Sequence, residues 1–438
     1  MRLLLVVVYN AVVVPLLTLG LWAASLFNPK ARAGWEGRKG QFPKLAAVLA
    51  GMPPSRKRIL FHCTSVGECE QALPIAQAIK ESRPEIAIFF SFFSPSGYAF
   101  LKQHPAVDYK LYLPLDTWRG MNRFLKLLAP DLVVISKFDV WPNLVWAAKK
   151  RGIPAVITSA TLSSNSRRDK GLAGWLNASV YDCLDAVLAI TEQDAGRFLA
   201  LGIPRDRVFV TGDTRFDQVQ LRGERARAAG DVPLFKDRPA LTIIGGSLWP
   251  PDERSFLPAA IAVLQKHPEA SLVLVPHEPR EAHLAALERA LSAAGLAFER
   301  YSAFAAAGGT AARVAVIDTV GLLARLYKQT DIAYIGGSFG SGVHNVMEPA
   351  VFGQPVLFGP RHENSAEALE LKGIGCAFAA GDSRGILEML TRLAAGADER
   401  RAIGERARDY IAGRVGATRT TLTILKGRYD FLSDPHPD

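Results

Sequence analysis

The sequence predicts an α/β protein made of two Rossmann-like halves behind an apolar N-terminal helix, and three observations carry that prediction. From residue 58 onward short apolar runs alternate with amphipathic stretches, the pattern of a parallel, doubly wound sheet. The alternation breaks at a charged segment, Gln218–Arg238, and begins again at Leu241. At 438 residues the chain is too long for one ordinary core, and two domains of roughly 200 residues each are the natural division.

The first element is the apolar one. Leu3–Phe27 is a run of 25 residues without a charge, enough to cross a hydrocarbon core of about 30 Å. A cleaved signal peptide has an apolar stretch of only about 7–15 residues, ahead of a small-residue cleavage site. Asn10 and Pro15 interrupt the run, and a membrane helix tolerates both. Arg2 stands alone before it, whereas Lys30, Arg32, Arg38, Lys39 and Lys44 follow. By the positive-inside rule the remainder lies in the cytoplasm, and residues 1–28 are expected to form a transmembrane anchor.

The first half, residues 29–217, then reads as a strand–helix series. Strands are expected at Arg58–His62, Ile86–Phe93, Lys110–Leu113, Leu132–Ser136, Ala155–Ser159 and Ala186–Ile190. Glu70–Arg83 is expected as a helix, with apolar residues at 72, 73, 75, 76 and 79. Residues 218–238 are the expected linker. The second half, 239–438, places strands at Leu241–Gly245, Ser271–Pro276, Ala315–Asp318, Ile332–Gly336 and Pro355–Gly359, with terminal helices over 398–432. The Ala-rich patch Ala303–Ala312 reads as a flexible loop. Two such halves facing across a cleft would bind ligands at the carboxyl ends of their strands.

Composition narrows the chemistry. Hydrophobic residues make up 49% and charged residues 21%, which suits large buried cores. The 37 Gly and 27 Pro follow no period, as many short turns require. The net charge of +10 would suit nucleic acid, but no basic motif with interleaved aromatics is present. Next to an anchor, an anionic bilayer surface or a phosphorylated lipid is the better partner; a generic basic surface is the plain alternative. The four cysteines form no CxxC pair, so buried reduced thiols are expected. With no Asp-x-Asp motif and no His/Asp cluster, no divalent metal and no cofactor are expected.

Two segments carry candidate chemistry. In Ile335–Pro349 (IGGSFGSGVHNVMEP) an apolar strand enters a glycine-rich turn, Gly337–Ser338 included, and a helix is expected to start near His344–Asn345. Such a turn lets backbone approach a ligand, and a helix start offers free N–H groups to a nucleotide phosphate. It is neither a Walker motif nor GxGxxG. Glu348, one turn on, could meet a ribose. The plain alternative is a glycine-rich β–α turn with Glu348 on a helix surface. The other segment, His62–Glu70 (HCTSVGECE), puts Glu68 at the end of the first strand, where a carboxylate could take a proton from an attacking hydroxyl. Equally, Glu68 could serve only to cap its helix. Weaker turn signals are Ser94–Tyr98, Asp139–Asn143, Gly212–Asp217, Gly245–Glu253 and Pro276–Pro279, the last placing His277 at a strand end.

The order SVGE, FSPSGY, WPN, GDTRFD, GS-x-W-x-x-DE, GGSF…HN-x-x-EP and FGQPVLFGP resembles the bacterial 3-deoxy-D-manno-octulosonic acid (Kdo) transferases across nearly the whole chain. That resemblance implies a GT-B fold and inverting, metal-free transfer of Kdo from CMP-Kdo. The acceptor would be a 6′-hydroxyl of a lipid A precursor of the lipid IVA type, at the cytoplasmic face of the inner membrane. It also implies Glu68 as general base, Arg215 as a cation stabilising the transition state, and Asp139 as an acidic site residue. CMP contacts would fall on Pro276, His277, Gly321, Leu322, Leu323 and Asn345, Val346, Met347, Glu348. The sequence departs from the family pattern at Lys137, Thr161, His277 and Val343. Another GT-B nucleotide-sugar enzyme, or a tethered relative without catalysis, would share much of the pattern; donor preference and the effect of Glu68→Ala separate them.

Overall fold

Apolar runs bounded by turn residues form the strands of the computed structural model, which describes residues 2–162 and 171–433. The chain divides into two units, one running to Gln218 and resuming at Gly416, the other Val219–Val415. The first holds β1 (Arg58–Cys63), β2 (Ala87–Phe92), β3 (Tyr109–Tyr112), β4 (Leu132–Ser136), β5 (Ala155–Ala160), β6 (Ala186–Ala189) and β7 (Val208–Val210). All pairings are parallel, in the order β3-β2-β1-β4-β5-β6-β7. Helices cover both faces of such a sheet, so its strands are apolar throughout rather than alternating. Leu60, Phe89, Val133 and Ile157 pack into one core. Their strand neighbours Phe61, Phe90, Val134 and Val156 pack into the other.

The second unit repeats the plan with β8 (Leu241–Leu248), β9 (Ala270–Pro276), β10 (Phe298–Arg300), β11 (Val314–Val316), β12 (Ile332–Ile335), β13 (Val356–Phe358) and β14 (Ala377–Ala379). Its order is β10-β11-β9-β8-β12-β13-β14, again parallel. The strand order reverses between β1 and β4 in the first sheet and between β8 and β12 in the second, where β10 and β11 also exchange places at the edge. Crevices for ligands open beyond the carboxyl ends of strands at such reversals. Two doubly wound parallel sheets make the fold GT-B.

The structure departs from expectation in several places, among them the helix expected at Glu70–Arg83, which begins earlier, at Val66. β7, β10 and β14 are three-residue edge strands that the apolar pattern does not reveal. The expected linker is structured, since Thr214–Ala228 is helical and Val232 and Leu234 are buried. The Ala-rich patch is likewise ordered: Ala305–Ala307 is a helical turn, and Thr310 N–H donates to Leu234 O at 2.9 Å. The terminal helix Ala417–Arg428 belongs to the first unit rather than the second. There Leu425 and Leu432 join the core of Ile59 and Phe61, and Asp217 accepts from the N–H groups of Gly416 and Thr418 at 2.8 and 3.1 Å.

At the N-terminus, Arg2–Val8 and Val14–Phe27 are α-helical, joined by the wider π-helical turn Tyr9–Val13. Leu4–Phe27 is apolar and long enough to cross a membrane. Asn28 ends it and starts the next helix, its side chain accepting from Lys30 and Ala31 N–H at 2.9 and 3.2 Å, as an N-cap residue does. All four cysteines are buried, as the sequence leads one to expect.

Candidate active-site residues of the two units

Glu68 lies at the reversal of the first sheet, one turn into the helix Val66–Ser82 that follows β1. Its side chain turns back to the helix start, where Oε2 accepts from Ser65 N–H at 2.9 Å and from Thr64 N–H. This is the capping geometry of a helix N-terminus, so the capping role is real. It uses one oxygen; Oε1 accepts no hydrogen bond among the described residues. The residue is only 3% exposed. Burial raises its pKa, and the nearby Asp139 charge raises it further. The two backbone N–H groups and Lys137 pull the other way without prevailing. A carboxyl held above its ordinary range at a strand end is suited to accept a proton.

Lys137 and Asp139 follow β4, on the other side of the reversal. Lys137 takes a left-handed φ of 72°, unusual for a residue with a side chain. Ser159 and Ser247 do the same, with φ of 47° and 53°. Each stands where the ladder shifts register, between Ile157 and Ala160 and between Gly245 and Leu248. Such conformations cost free energy of order 1–3 kcal/mol and cluster at functional sites. Here all three mark carboxyl ends of strands.

Arg215 is held by its neighbour. Its Nε and Nη2 donate to Asp213 Oδ2 at 2.9 and 2.7 Å, and Gln71 Nε2 donates to Oδ1 at 3.0 Å. Burial opposes ionisation of Asp213, but the Arg215 charge and these hydrogen bonds outweigh it and keep the carboxyl below its usual range. Gln71 sits one turn beyond Glu68 on the same helix. The structure therefore ties Glu68, Asp139, Lys137 and Arg215 to one end of the first sheet. Thr161, a departure from the family pattern, holds Asp194 through a 2.8 Å hydrogen bond.

In the second unit the glycine-rich turn is built on Asp252, which the sequence offered only as part of the Gly245–Glu253 turn signal and with no role of its own. Asp252, fully buried, accepts from Gly337 N–H at 2.8 Å and Phe339 N–H at 3.1 Å. Gly340 and Gly342 N–H both donate to Gly337 O, at 2.9 and 3.0 Å. These amides are thus turned inward. Gly337 itself has φ 96°, and a Cβ there would stand 2.3 Å from Gly342 O, so the glycine serves the turn's own closure. The following helix is one turn, Met347–Val351, and starts later than His344–Asn345. Its first N–H is already bound by Asn345 Oδ1 at 3.0 Å. Ser338, Val343, Val346 and Met347 have buried side chains, and Ser338 Oγ accepts from Gly359 N–H at 2.6 Å.

The exposed chemistry of this unit is aromatic and ionic. The His277 ring, just past β9 and Pro276, stacks on Trp249 and on His344, with centroids 4.5 and 4.6 Å apart. Trp249 Nε1 donates to His344 Nε2 at 2.8 Å. An indole N–H can only donate, so Nε2 carries no proton. Burial lowers the pKa of both histidines; for His344 the neighbouring His277 adds to the effect. Glu348 Oε1 accepts from Arg222 Nη1 at 3.1 Å and from Asn345 Nδ2 at 3.4 Å. Leu323 begins the short helix Leu323–Tyr327 and borders Gly246 at the end of β8. Gly321, with φ 90°, and Leu322 lead into it.

Comparison with known proteins bears on this arrangement. A family model for 3-Deoxy-D-manno-octulosonic-acid transferase (kdotransferase) matches residues 33–218. The 3-deoxy-D-manno-octulosonic acid transferase of Bordetella pertussis is 31% identical over 444 residues, covering 94% of this chain and 96% of the relative. The enzyme of the same name from Haemophilus influenzae is 27% identical, covering 94% and 95%. Among solved structures, UDP-GlcNAc 2-epimerase from Neisseria meningitidis superposes with a TM-score of 0.60 at 16% identity, over 84% of this chain and 100% of that one. At that identity the likeness is one of fold.

Proposed function

The chain belongs to the 3-deoxy-D-manno-octulosonic acid transferase family and is a glycosyltransferase that moves Kdo in lipopolysaccharide biosynthesis; from that premise we propose that its donor is CMP-Kdo and its acceptor a lipid A precursor of the lipid IVA type. The observation that carries the mechanism is Glu68, buried at the end of β1 with one oxygen fastened, the other open and its pKa raised. The acceptor hydroxyl oxygen bonds to the anomeric carbon of Kdo while the bond from that carbon to the CMP phosphate oxygen breaks. The departing electron pair leaves on CMP, the hydroxyl proton passes to Glu68 Oε1, and the configuration inverts. Arg215, aimed by Asp213, supplies positive charge as anionic CMP departs, a role that needs no resident metal.

In the second unit, the His277–Trp249–His344 stack offers flat faces to a base or sugar, and Asn345 with Glu348 offers polar contacts to a ribose. The apolar helix Leu4–Phe27 would hold the enzyme at the cytoplasmic face of the inner membrane, where its lipid acceptor lies. The test is to incubate the protein with CMP-Kdo and a tetraacyl lipid A precursor. CMP release with a matching mass gain on the lipid is expected. Glu68→Gln should lower turnover by roughly a hundredfold to ten-thousandfold while CMP binding, followed by calorimetry, persists. Turnover that survives the substitution would remove Glu68 as the base.

A further inference from the structure

The apolar helix Leu4–Phe27 touches the first unit where a membrane-crossing helix could not. Near its start Tyr9 Oη donates to Asp116 Oδ2 at 2.8 Å, and the Asn10 and Asn143 side chains exchange hydrogen bonds at 3.0 Å each. Asn10 Oδ1 also accepts from Trp118 N–H at 3.3 Å. Asp116 is buried, and it further accepts from Asn143 and Leu144 N–H at 3.1 and 3.2 Å. Tyr9 and Val14 join the core of Leu111, Phe124 and Leu144, with Val6 and Val13 packed against it. Beyond the helix's other end the chain is again fastened to the same unit, Arg38 donating to Leu113 O at 2.9 Å and to Phe93 O at 2.8 Å.

Tyr9 and Phe27 are separated by about 27 Å of helix at 1.5 Å per residue, nearly the thickness of a hydrocarbon core, about 30 Å. Standing along the bilayer normal, the helix would carry Tyr9 and Asn10 across the membrane while Phe27 stayed behind. One folded unit cannot meet both ends. Pulling the helix free instead would leave a phenol and an amide in lipid and strip Asp116 of a partner, each at a cost. A second observation agrees. The groove beside the middle of the helix, at Val14, Thr18 and Trp22, is lined from the other side by Trp35, Trp118 and Arg119. Arg119 is exposed. Tryptophan and arginine at that height fit lipid headgroups, not a bilayer centre.

We propose that this helix lies in the membrane plane, seated in one leaflet of an anionic phospholipid bilayer and latched to its unit through Tyr9–Asp116 and Asn10–Asn143. Away from its latched residues the helix is apolar and open, with Leu4 66%, Leu16 64%, Leu19 58% and Phe27 87% exposed. Lys30, Arg32 and Lys44, all exposed, supply the cations that anionic headgroups attract. The inference rests on the membrane location proposed above and replaces a crossing with an in-plane seat.

The test uses full-length protein on sealed phosphatidylethanolamine–phosphatidylglycerol vesicles with the folded units outside. Arg2→Cys and Lys44→Cys are treated separately with a membrane-impermeant maleimide; the native thiols are all buried and give little background. An in-plane helix labels at both positions to the same extent without detergent. Protection of Arg2→Cys until detergent is added, with Lys44→Cys reacting at once, would overturn the in-plane seat and leave the membrane location standing. Failure of the protein to sediment with the vesicles would overturn both. Adding Tyr9→Phe and Asn10→Leu should free the helix to turn and protect Arg2→Cys; unchanged labelling would reject the latch.

Discussion

The ionisation of Glu68 is set by neighbours of opposite sign, and this makes it testable one residue at a time. Burial raises its pKa and Asp139 adds to the rise, while Lys137 opposes it. The acidic limb of a kcat/KM profile reports the free enzyme's base, so it should lie above the range of an unperturbed carboxylate. Asp139→Asn removes a negative charge and should move that limb to lower pH. Lys137→Met removes a positive charge and should move it higher. Opposite shifts would identify Glu68 as the titrating group; two shifts in the same direction would exclude it. Glu68 was legible in the sequence because a carboxylate closely follows an apolar strand. Asp252 was not, since its partners at Gly337 and Phe339 lie more than eighty residues away, and no local pattern announces them. The Trp249–His277–His344 stack was hidden for the same reason, its three rings coming from three strand ends.

At the level of elements, apolar strands bounded by turns were read within a residue or two where they are interior, except β8, which runs three residues beyond the expected Gly245. Those missed, β7, β10 and β14, are partly exposed edge strands of three residues each, too short to show a period even where, as in β7 and β14, every residue is apolar. The glycine-rich turn was read as a strand exit but not as a closed loop, because its closure depends on backbone bonds that any residue type could make. An interior strand can also carry a hidden liability. His62 on β1 is 1% exposed; its Nδ1 meets Ser91 Oγ at 3.0 Å, while its buried Nε2 has no partner. Burial pushes its pKa down to about 3. In the unfolded chain the ring takes a proton near pH 6.5, so below that value the unfolded state binds more protons than the folded one. Stability from this residue is full above about pH 6.5 and falls as pH drops toward the folded value. Between pH 7 and pH 5 the loss is of order ~2 kcal/mol. His62→Asn should be less stable at pH 7 yet lose less on acidification, as urea midpoints at the two pH values would reveal. An unchanged acid sensitivity would place the cause elsewhere.

For the whole molecule, the order of the chain and the order of its units differ. The final segment returns to the first unit after the second is complete, so the first unit cannot finish its core until the last residues arrive. Leu425 and Leu432 are 0% and 2% exposed there, and Asp217 holds the N–H groups of Gly416 and Thr418. Truncating one buried leucine to alanine typically costs about 2–5 kcal/mol, a large share of the roughly 5–15 kcal/mol by which a domain is stable. Ending the chain after Val415 removes the helix that carries Leu425 and the helical turn, Asp430–Leu432, that carries Leu432. Hydrogen exchange should then accelerate in β1 and in the helix Val66–Ser82, whose faces that segment covers, while β8 and β9 keep their protection. Leu425→Ala should give the same pattern in weaker form, which separates lost packing from a chain that never folds. Equal loss of protection in both sheets would mean that the units unfold as one. Unaltered protection in β1 would mean that the returning helix only decorates the surface, contrary to the burial of its leucines.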